Sequence, residues 1–307
     1  MAISRLARLV LRALSYPDIE VQRHVGLIRR LHSLTLPNFS RPSYEIWRHD
    51  VRVSDRKVPV RIYRPRRQGS FPVLVFFHGG GWVHGTVDSY DKLCRALAAN
   101  TRRQVVSVDY CLAPEHRFPD ALEDCYCVTR ELFLRAQLLG ACAEDIAIAG
   151  DSAGGNLAAA VSLMARDRGE FLPRKQILIY PACSGDHTDT SPYSSVRDNG
   201  TGYLLTSRRV HEYMLLYAAD PDDLSNPYFA PLLAADLSGQ PDTLVITAQY
   251  DPLRDEGEAY GEALRNAGNN VRIHRVSDAL HGFMSLGERF RDVRDCYHLI
   301  DQFLEGR

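Results

Sequence analysis

No stretch of this sequence reaches the 18 or more consecutive apolar residues of a membrane-spanning helix. That excludes an integral helical membrane protein as the reading. The first fourteen residues alternate apolar runs with Arg5, Arg8 and Arg12, so the uninterrupted apolar core of a secretory signal is missing as well. The pattern suits a basic amphipathic helix, which would pack on the protein itself or lie on a membrane surface; packing on the protein is the expectation. An excess of one charge is also lacking. The chain has 37 Lys and Arg against 38 Asp and Glu, a formal charge of −1. Nucleic-acid binders carry a clustered basic excess, so no nucleic-acid partner is expected. There is no C-x-x-C pair, and the seven cysteines are odd in number. Both facts argue against a disulfide framework and for buried thiols in a reducing compartment, the cytoplasm. Cys125 and Cys127, two apart, would face different sides of a helix, so they suggest no metal pair. Internal repeats and low-complexity tracts are absent.

What is present is ordinary globular material. Of 307 residues, 45% are hydrophobic and 24% charged, enough to build a sizeable core. Short apolar runs at 44–53, 58–64, 73–77, 104–109, 145–150, 176–180, 243–248 and 271–276 read as eight strands, the first two as a hairpin. Helical patterns fall near 1–35, 86–99, 119–139, 153–167, 206–218, 255–267 and 287–304. Such alternation predicts an α/β protein with a mostly parallel sheet and helices on both faces. The connection from 181 to 240 is far longer than a normal strand-to-strand loop. The expectation is therefore one domain, 1–307, with a helical cap formed by 1–40 and 185–235.

Gly150-Asp151-Ser152-Ala153-Gly154 matches G-x-S-x-G between a predicted strand and a predicted helix, the context in which a serine nucleophile sits on a strained turn. The simpler reading is a serine capping a helix beside flexible glycines; the flanking strand and helix, with Gly155, favour the nucleophile. His78-Gly79-Gly80-Gly81-Trp82 follows the buried run 73–77. Three glycines there can turn backbone N–H groups toward one point. With the N–H of Ala153 they could bind an oxygen that becomes negative in acyl transfer. A phosphate cradle would need Lys-Ser or Lys-Thr next, and Trp82-Val83-His84 follows instead. His78 lies on the loop itself, so it is read as orienting backbone rather than as a base.

A serine nucleophile needs a base, and the base needs a carboxylate to fix its tautomer. Asp251 and His281 each fall just past a late predicted strand, on the sheet edge that carries Ser152, where open α/β sheets bind ligands. Their order, Ser then Asp then His, is that of α/β-hydrolases. His116 and His274 compete as the base, and Asp255 or Glu256 as the acid. The last two fall at a helix start, where carboxylates also serve the helix dipole.

Taken together, His78–Trp82, the run Asp109-Tyr110-Cys111-Leu112-Ala113-Pro114-Glu115, Gly150–Asn156, Asp251–Gly257 and His281-Gly282-Phe283 resemble the hormone-sensitive-lipase-like family of α/β-hydrolase esterases. The resemblance implies an eight-stranded sheet with the second strand antiparallel, a cap, no cofactor and no metal. It implies hydrolysis of short- to medium-chain acyl esters by Ser152, Asp251 and His281. Gly79, Gly80 and Ala153 would give oxyanion N–H groups, and Gly81 would allow close packing. It also implies pairing of two copies through an edge strand. Trp82, Tyr203 and Tyr213 are the candidate substrate contacts. An amidase or deacetylase with the same triad, or a non-catalytic small-ligand receptor on this fold, are the alternatives; the receptor fits less well because His281 is present. Two positions depart from the family. Cys111 stands where Arg is common, and Ser277-Asp278-Ala279-Leu280 replaces the usual glycine-containing turn before the histidine.

Overall fold

A computed structural model describes residues 21–33, 44–53, 56–66 and 69–307. The expected amphipathic segment at the very N-terminus, and residues 34–40 of the expected cap, lie outside the described residues. Eight strands form one sheet: β1 (Tyr44–Val53), β2 (Arg56–Pro65), β3 (Val73–Phe77), β4 (Gln104–Val108), β5 (Ile146–Asp151), β6 (Lys175–Ile179), β7 (Asp242–Tyr250) and β8 (Val271–Leu280). Their spatial order is β1-β2-β4-β3-β5-β6-β7-β8. Strand β2 runs antiparallel to both neighbours, and every pair from β4 to β8 is parallel.

The central strands read as continuous apolar runs because both of their faces are covered. On β3, Leu74 and Phe76 enter one core while Val73, Val75 and Phe77 enter the other, as the two-residue period of a strand requires. Helices α2 (Asp91–Thr101) and α8 (Arg291–Leu304) cover the first face. Helices α3 (Asp120–Leu134), α4 (Ala153–Arg168) and α7 (Arg254–Asn266) cover the second. Helix α4 is buried on all sides from Ala153 to Ala165. Its small residues let it lie close under the sheet, and Gly169 in the left-handed region ends it.

Helix α1 (Val21–Ser33) meets α6 (Ser207–Tyr217) of the long β6–β7 connection, where the Val21 N–H donates to Glu212. A short helix, α5 (Ser194–Asp198), precedes α6. We refer to α1 and this connection as the cap. Trp82, Phe118, Tyr217 and Phe229 pack together to join it to the body; the Trp82 and Tyr217 rings lie 4.8 Å apart and nearly parallel, and Phe118 meets Tyr217 and Phe229 edge-on. All seven cysteines are free thiols, and burial raises the pKa of those in the core, that of Cys94 to about 12. No helix among the described residues is long and apolar enough to cross a membrane.

One consequence of the strand order positions the site. The chain moves from β3 outward to β4, then returns to place β5 on the other side of β3. The loops leaving β3 and β5 therefore diverge, which opens a crevice at the carboxyl ends of these strands.

Candidate active site

Ser152 occupies the sharp turn between β5 and α4 with φ 55° and ψ −120°. A non-glycine residue there is strained by about 1–3 kcal/mol and persists only where its surroundings hold it. They do: the Ser152 N–H donates to the Ile179 carbonyl at 2.8 Å. The flanking glycines are steric necessities. A Cβ on Gly150 would lie 2.0 Å from the Gly154 carbonyl oxygen, and one on Gly154 would lie 2.0 Å from that of Phe77.

Asp251 follows the end of β7 and is fully buried. Its Oδ1 accepts the Leu253 N–H at 2.9 Å, and its carbonyl is held by the Asn199 amide at 3.2 Å. His281 follows β8, which runs four residues beyond the expected end at 276. A register shift between Ala248 and Tyr250 carries the pairing on to Leu280. Asp278 takes φ 58° in this stretch, the conformation a glycine would otherwise supply, and its N–H donates to the Gln249 side chain at 2.8 Å. The result is a line of three groups. His281 Nε2 is 2.9 Å from Ser152 Oγ, and His281 Nδ1 is 2.7 Å from Asp251 Oδ2.

The rival groups are occupied elsewhere. Asp255 accepts the Ser195 N–H at 2.8 Å. Glu256 accepts the Cys183 N–H at 2.7 Å and lies 2.8 Å from His187 Nε2 in a fully buried pair. Burial disfavours the charged form of His187, but Glu256 outweighs it and the His187 pKa is raised. His116 sits against exposed Asp120 at 3.2 Å, and His274 is exposed on β8.

In the glycine loop, the His78 Nδ1 group lies 2.8 Å from the Gly79 carbonyl. Burial lowers the His78 pKa, so the ring is neutral and able to donate there. A trans peptide points its C=O and N–H in opposite directions; holding the Gly79 carbonyl therefore aims the Gly80 N–H. The Gly80 carbonyl in turn accepts the Val83 and His84 N–H groups at 3.1 and 3.0 Å, which aims the Gly81 N–H. The N–H groups of Gly80 and Gly81 have no acceptor among the described residues, and that of Ala153, first in α4, has none within its helix. Gly79 differs from the expectation. Its N–H is given to Asp151 Oδ1 at 2.8 Å and is not open to a ligand.

Asp151 was missed by sequence reasoning as more than a motif letter. Its buried carboxylate also accepts the hydroxyls of Tyr90 at 3.0 Å and Tyr180 at 3.3 Å. Burial pushes its pKa up to about 6 against those hydrogen bonds. No local signal could have found Tyr90 or Tyr180, which arrive from different loops.

A cavity of about 1500 Å³ opens over Ser152, His281, Gly80 and Gly81. Tyr213 lines it, and so does Trp82, whose ring is spent on the stack with Tyr217. Tyr203 is a correction: it stacks on Tyr250 at 5.0 Å and does not line the cavity. Leu204, Leu205, Val210, Phe283, Met284 and Leu286 line it instead. Cys111, His116 and Asp120 bring three ligand-type atoms within 4.8 Å of one another. The Arg56 guanidinium lies 3.8 Å from Cys111 Sγ and 3.9 Å from Asp120, which disfavours a second cation there.

Serine, carboxylate and imidazole in this chain order, beside a glycine loop at the carboxyl edge of such a sheet, define the hydrolase class of α/β proteins. The comparisons agree. A profile of the α/β-hydrolase fold family matches residues 74–285, and the chain belongs to that family, as the resemblance to hormone-sensitive-lipase-like esterases implied. It is 43% identical over 237 residues to the carboxylic ester hydrolase LipN of Mycobacterium tuberculosis, covering 75% of this chain and 62% of LipN. It is 38% identical to an arylesterase of Saccharolobus solfataricus, over 79% of this chain and 78% of that one. The solved hyperthermophilic esterase of Pyrobaculum calidifontis superposes with a TM-score of 0.87 at 37% identity, over 100% of this chain and 99% of that one.

Proposed function

We propose that this protein is a serine carboxylesterase that hydrolyses short- to medium-chain acyl esters through an acyl-serine intermediate. The observation that carries the reading is the hydrogen-bonded line Ser152–His281–Asp251, at 2.9 and 2.7 Å, facing the same cavity as the open N–H groups of the glycine loop. Ester-hydrolysing relatives support the choice of ester. In the first half-reaction His281 Nε2 takes the Ser152 proton as Oγ attacks the ester carbonyl. The developing oxyanion is received by the N–H groups of Gly80, Gly81 and Ala153. Collapse expels the alcohol, which takes the proton from His281. Water then enters, His281 accepts its proton as the oxygen adds to the acyl carbon, and the second collapse returns that proton to Ser152 Oγ as the acyl group leaves as the acid. Asp251 stays ionised, holds the imidazole tautomer and stabilises the imidazolium.

Purified protein is expected to hydrolyse p-nitrophenyl acetate and butyrate, and Ser152→Ala to abolish the reaction. An Ala variant as fast as the parent would overturn the assignment. We further propose that two copies pair through an edge strand of the sheet, where β1 and β8 lie; light scattering on the eluting protein should then give twice the chain mass.

A further inference from the structure

A cation on the cap is connected to the glycine loop through two peptide units. Arg29 of α1 donates from Nε to the Val83 carbonyl at 2.8 Å. The N–H of that same peptide unit, belonging to His84, donates to the Gly80 carbonyl at 3.0 Å. The N–H of the next unit is that of Gly81. Fixing the Gly80 carbonyl fixes the aim of this N–H, because the two point oppositely across a planar trans peptide. Hydrogen bonds in such a row also polarise one another, by about 10–30% per bond, and this row begins at a full positive charge.

Arg29 is held so that it cannot swing away. Its Nη2 donates to the Ala113 carbonyl at 2.8 Å, and its two Nη groups grip Glu115 at 2.9 and 2.7 Å. The Ala113 N–H in turn donates to the Trp82 carbonyl at 2.9 Å. Tyr213 of α6 closes the other side. Its ring lies so near Gly81 that a Cβ there would be 2.4 Å from it, and its hydroxyl is 3.0 Å from His84 Nε2.

We propose that Arg29 is a positioning residue for oxyanion binding: through the Val83–His84 peptide it sets the direction and polarity of the Gly81 N–H. Docking of α1 and completion of the oxyanion pocket are then one event. The inference rests on the esterase reading above, in which that N–H meets the transition state.

The test compares Arg29→Gln, Arg29→Lys and Glu115→Gln in the full chain, with p-nitrophenyl butyrate as substrate and a trifluoromethyl ketone as the reversible tetrahedral adduct of Ser152. Losing an oxyanion donor outright lowers rates by about 10²–10³; losing its aim should lower kcat about tenfold. Arg29→Gln is expected to do so with KM within about threefold, and to weaken the ketone by the same factor as kcat. Arg29→Lys, which keeps a charged donor, should regain part of both. Glu115→Gln removes the ion pair but not the Val83 contact, and should keep kcat within about twofold even where the melting temperature falls. Unchanged kcat and ketone affinity in Arg29→Gln would overturn the proposal, as would an equal kcat loss in Glu115→Gln. If Arg29→Gln does not fold, Arg29→Lys against Glu115→Gln decides the same question. Activity that survives Ser152→Ala would sink the esterase reading; a silent Arg29 beside an inactive Ser152→Ala sinks this inference alone.

Discussion

At the scale of single residues, the proposed chemistry rests on groups held in fixed hydrogen-bonded partnerships. Asp251 is fully buried, and its Oδ2 faces the Nδ1 of His281. Asp251→Asn would keep the shape and favour the wrong imidazole tautomer, so kcat should fall on the order of 10⁴-fold while circular dichroism stays unchanged. Asp151, one residue from Ser152, is perturbed by burial. Its pKa is raised from 3.8 to about 6 by desolvation, so the native state holds the proton more tightly than the unfolded chain does. Its contribution is therefore favourable at low pH and is lost as pH rises from about 4 to about 6. The difference corresponds to roughly 3 kcal/mol. Asp151→Asn keeps an acceptor for the Gly79 N–H and removes the buried charge. Urea unfolding should show the variant more stable than the parent at pH 8, by a smaller margin at pH 5. A margin independent of pH would place the proton elsewhere.

At the scale of elements, the position of Cys111 shows how one part of the chain substitutes for another. The arginine that the family commonly carries there is absent, yet an ion pair stands beside it. Arg56 of β2 reaches the nearly buried Asp124 of α3 at 2.7 Å, while Asp124 also accepts the Cys111 N–H at 3.1 Å. Arg56→Leu would leave that carboxylate without its cation. Because Arg56 is itself a third exposed, the expected loss is about 2 kcal/mol, below the usual range for a fully buried pair. Adding Asp124→Asn should restore more than half of it, as read from the urea midpoint. This substitution also marks where the sequence stops being readable. Strand β3 has its expected bounds, because a run buried on both faces is bounded by loss of apolar residues. The ends of β8 are set by pairing with β7 and a shifted register, which no local pattern encodes. Ser152, Asp251 and His281 could be singled out because each sits at a strand end with a characteristic neighbour. Asp151's tyrosine partners, Arg29 and the misassigned Tyr203 depend on which loops meet in space, and aromatic residues look alike in a sequence whether they stack on each other or face a cavity.

At the scale of the whole molecule, the sheet, the cap and the β8–α8 connection enclose one cavity far larger than an acetyl group, at about 1500 Å³. Its lining includes the apolar side chains of Leu205, Val210, Phe283 and Met284, together with Leu204, Leu286 and Phe290, which are between 41% and 56% exposed. An acyl chain that extends along this wall would bury apolar surface as it grows. Burying one methylene is worth about 0.8 kcal/mol, which is nearly fourfold in kcat/KM where burial is complete and less where the wall is open. Across p-nitrophenyl esters from two to twelve carbons, kcat/KM should rise from acetate to about six or eight carbons and then level as the chain passes the rim. Because the gain is made equally in the ground and transition states, it should appear mainly as a falling KM. Phe290→Ser, which removes apolar surface from a half-exposed part of the cavity wall, should lower kcat/KM for decanoate severalfold and leave acetate within twofold. A profile highest at acetate, or a Phe290→Ser variant that slows all esters alike, would mean that the outer cavity does not hold the acyl chain.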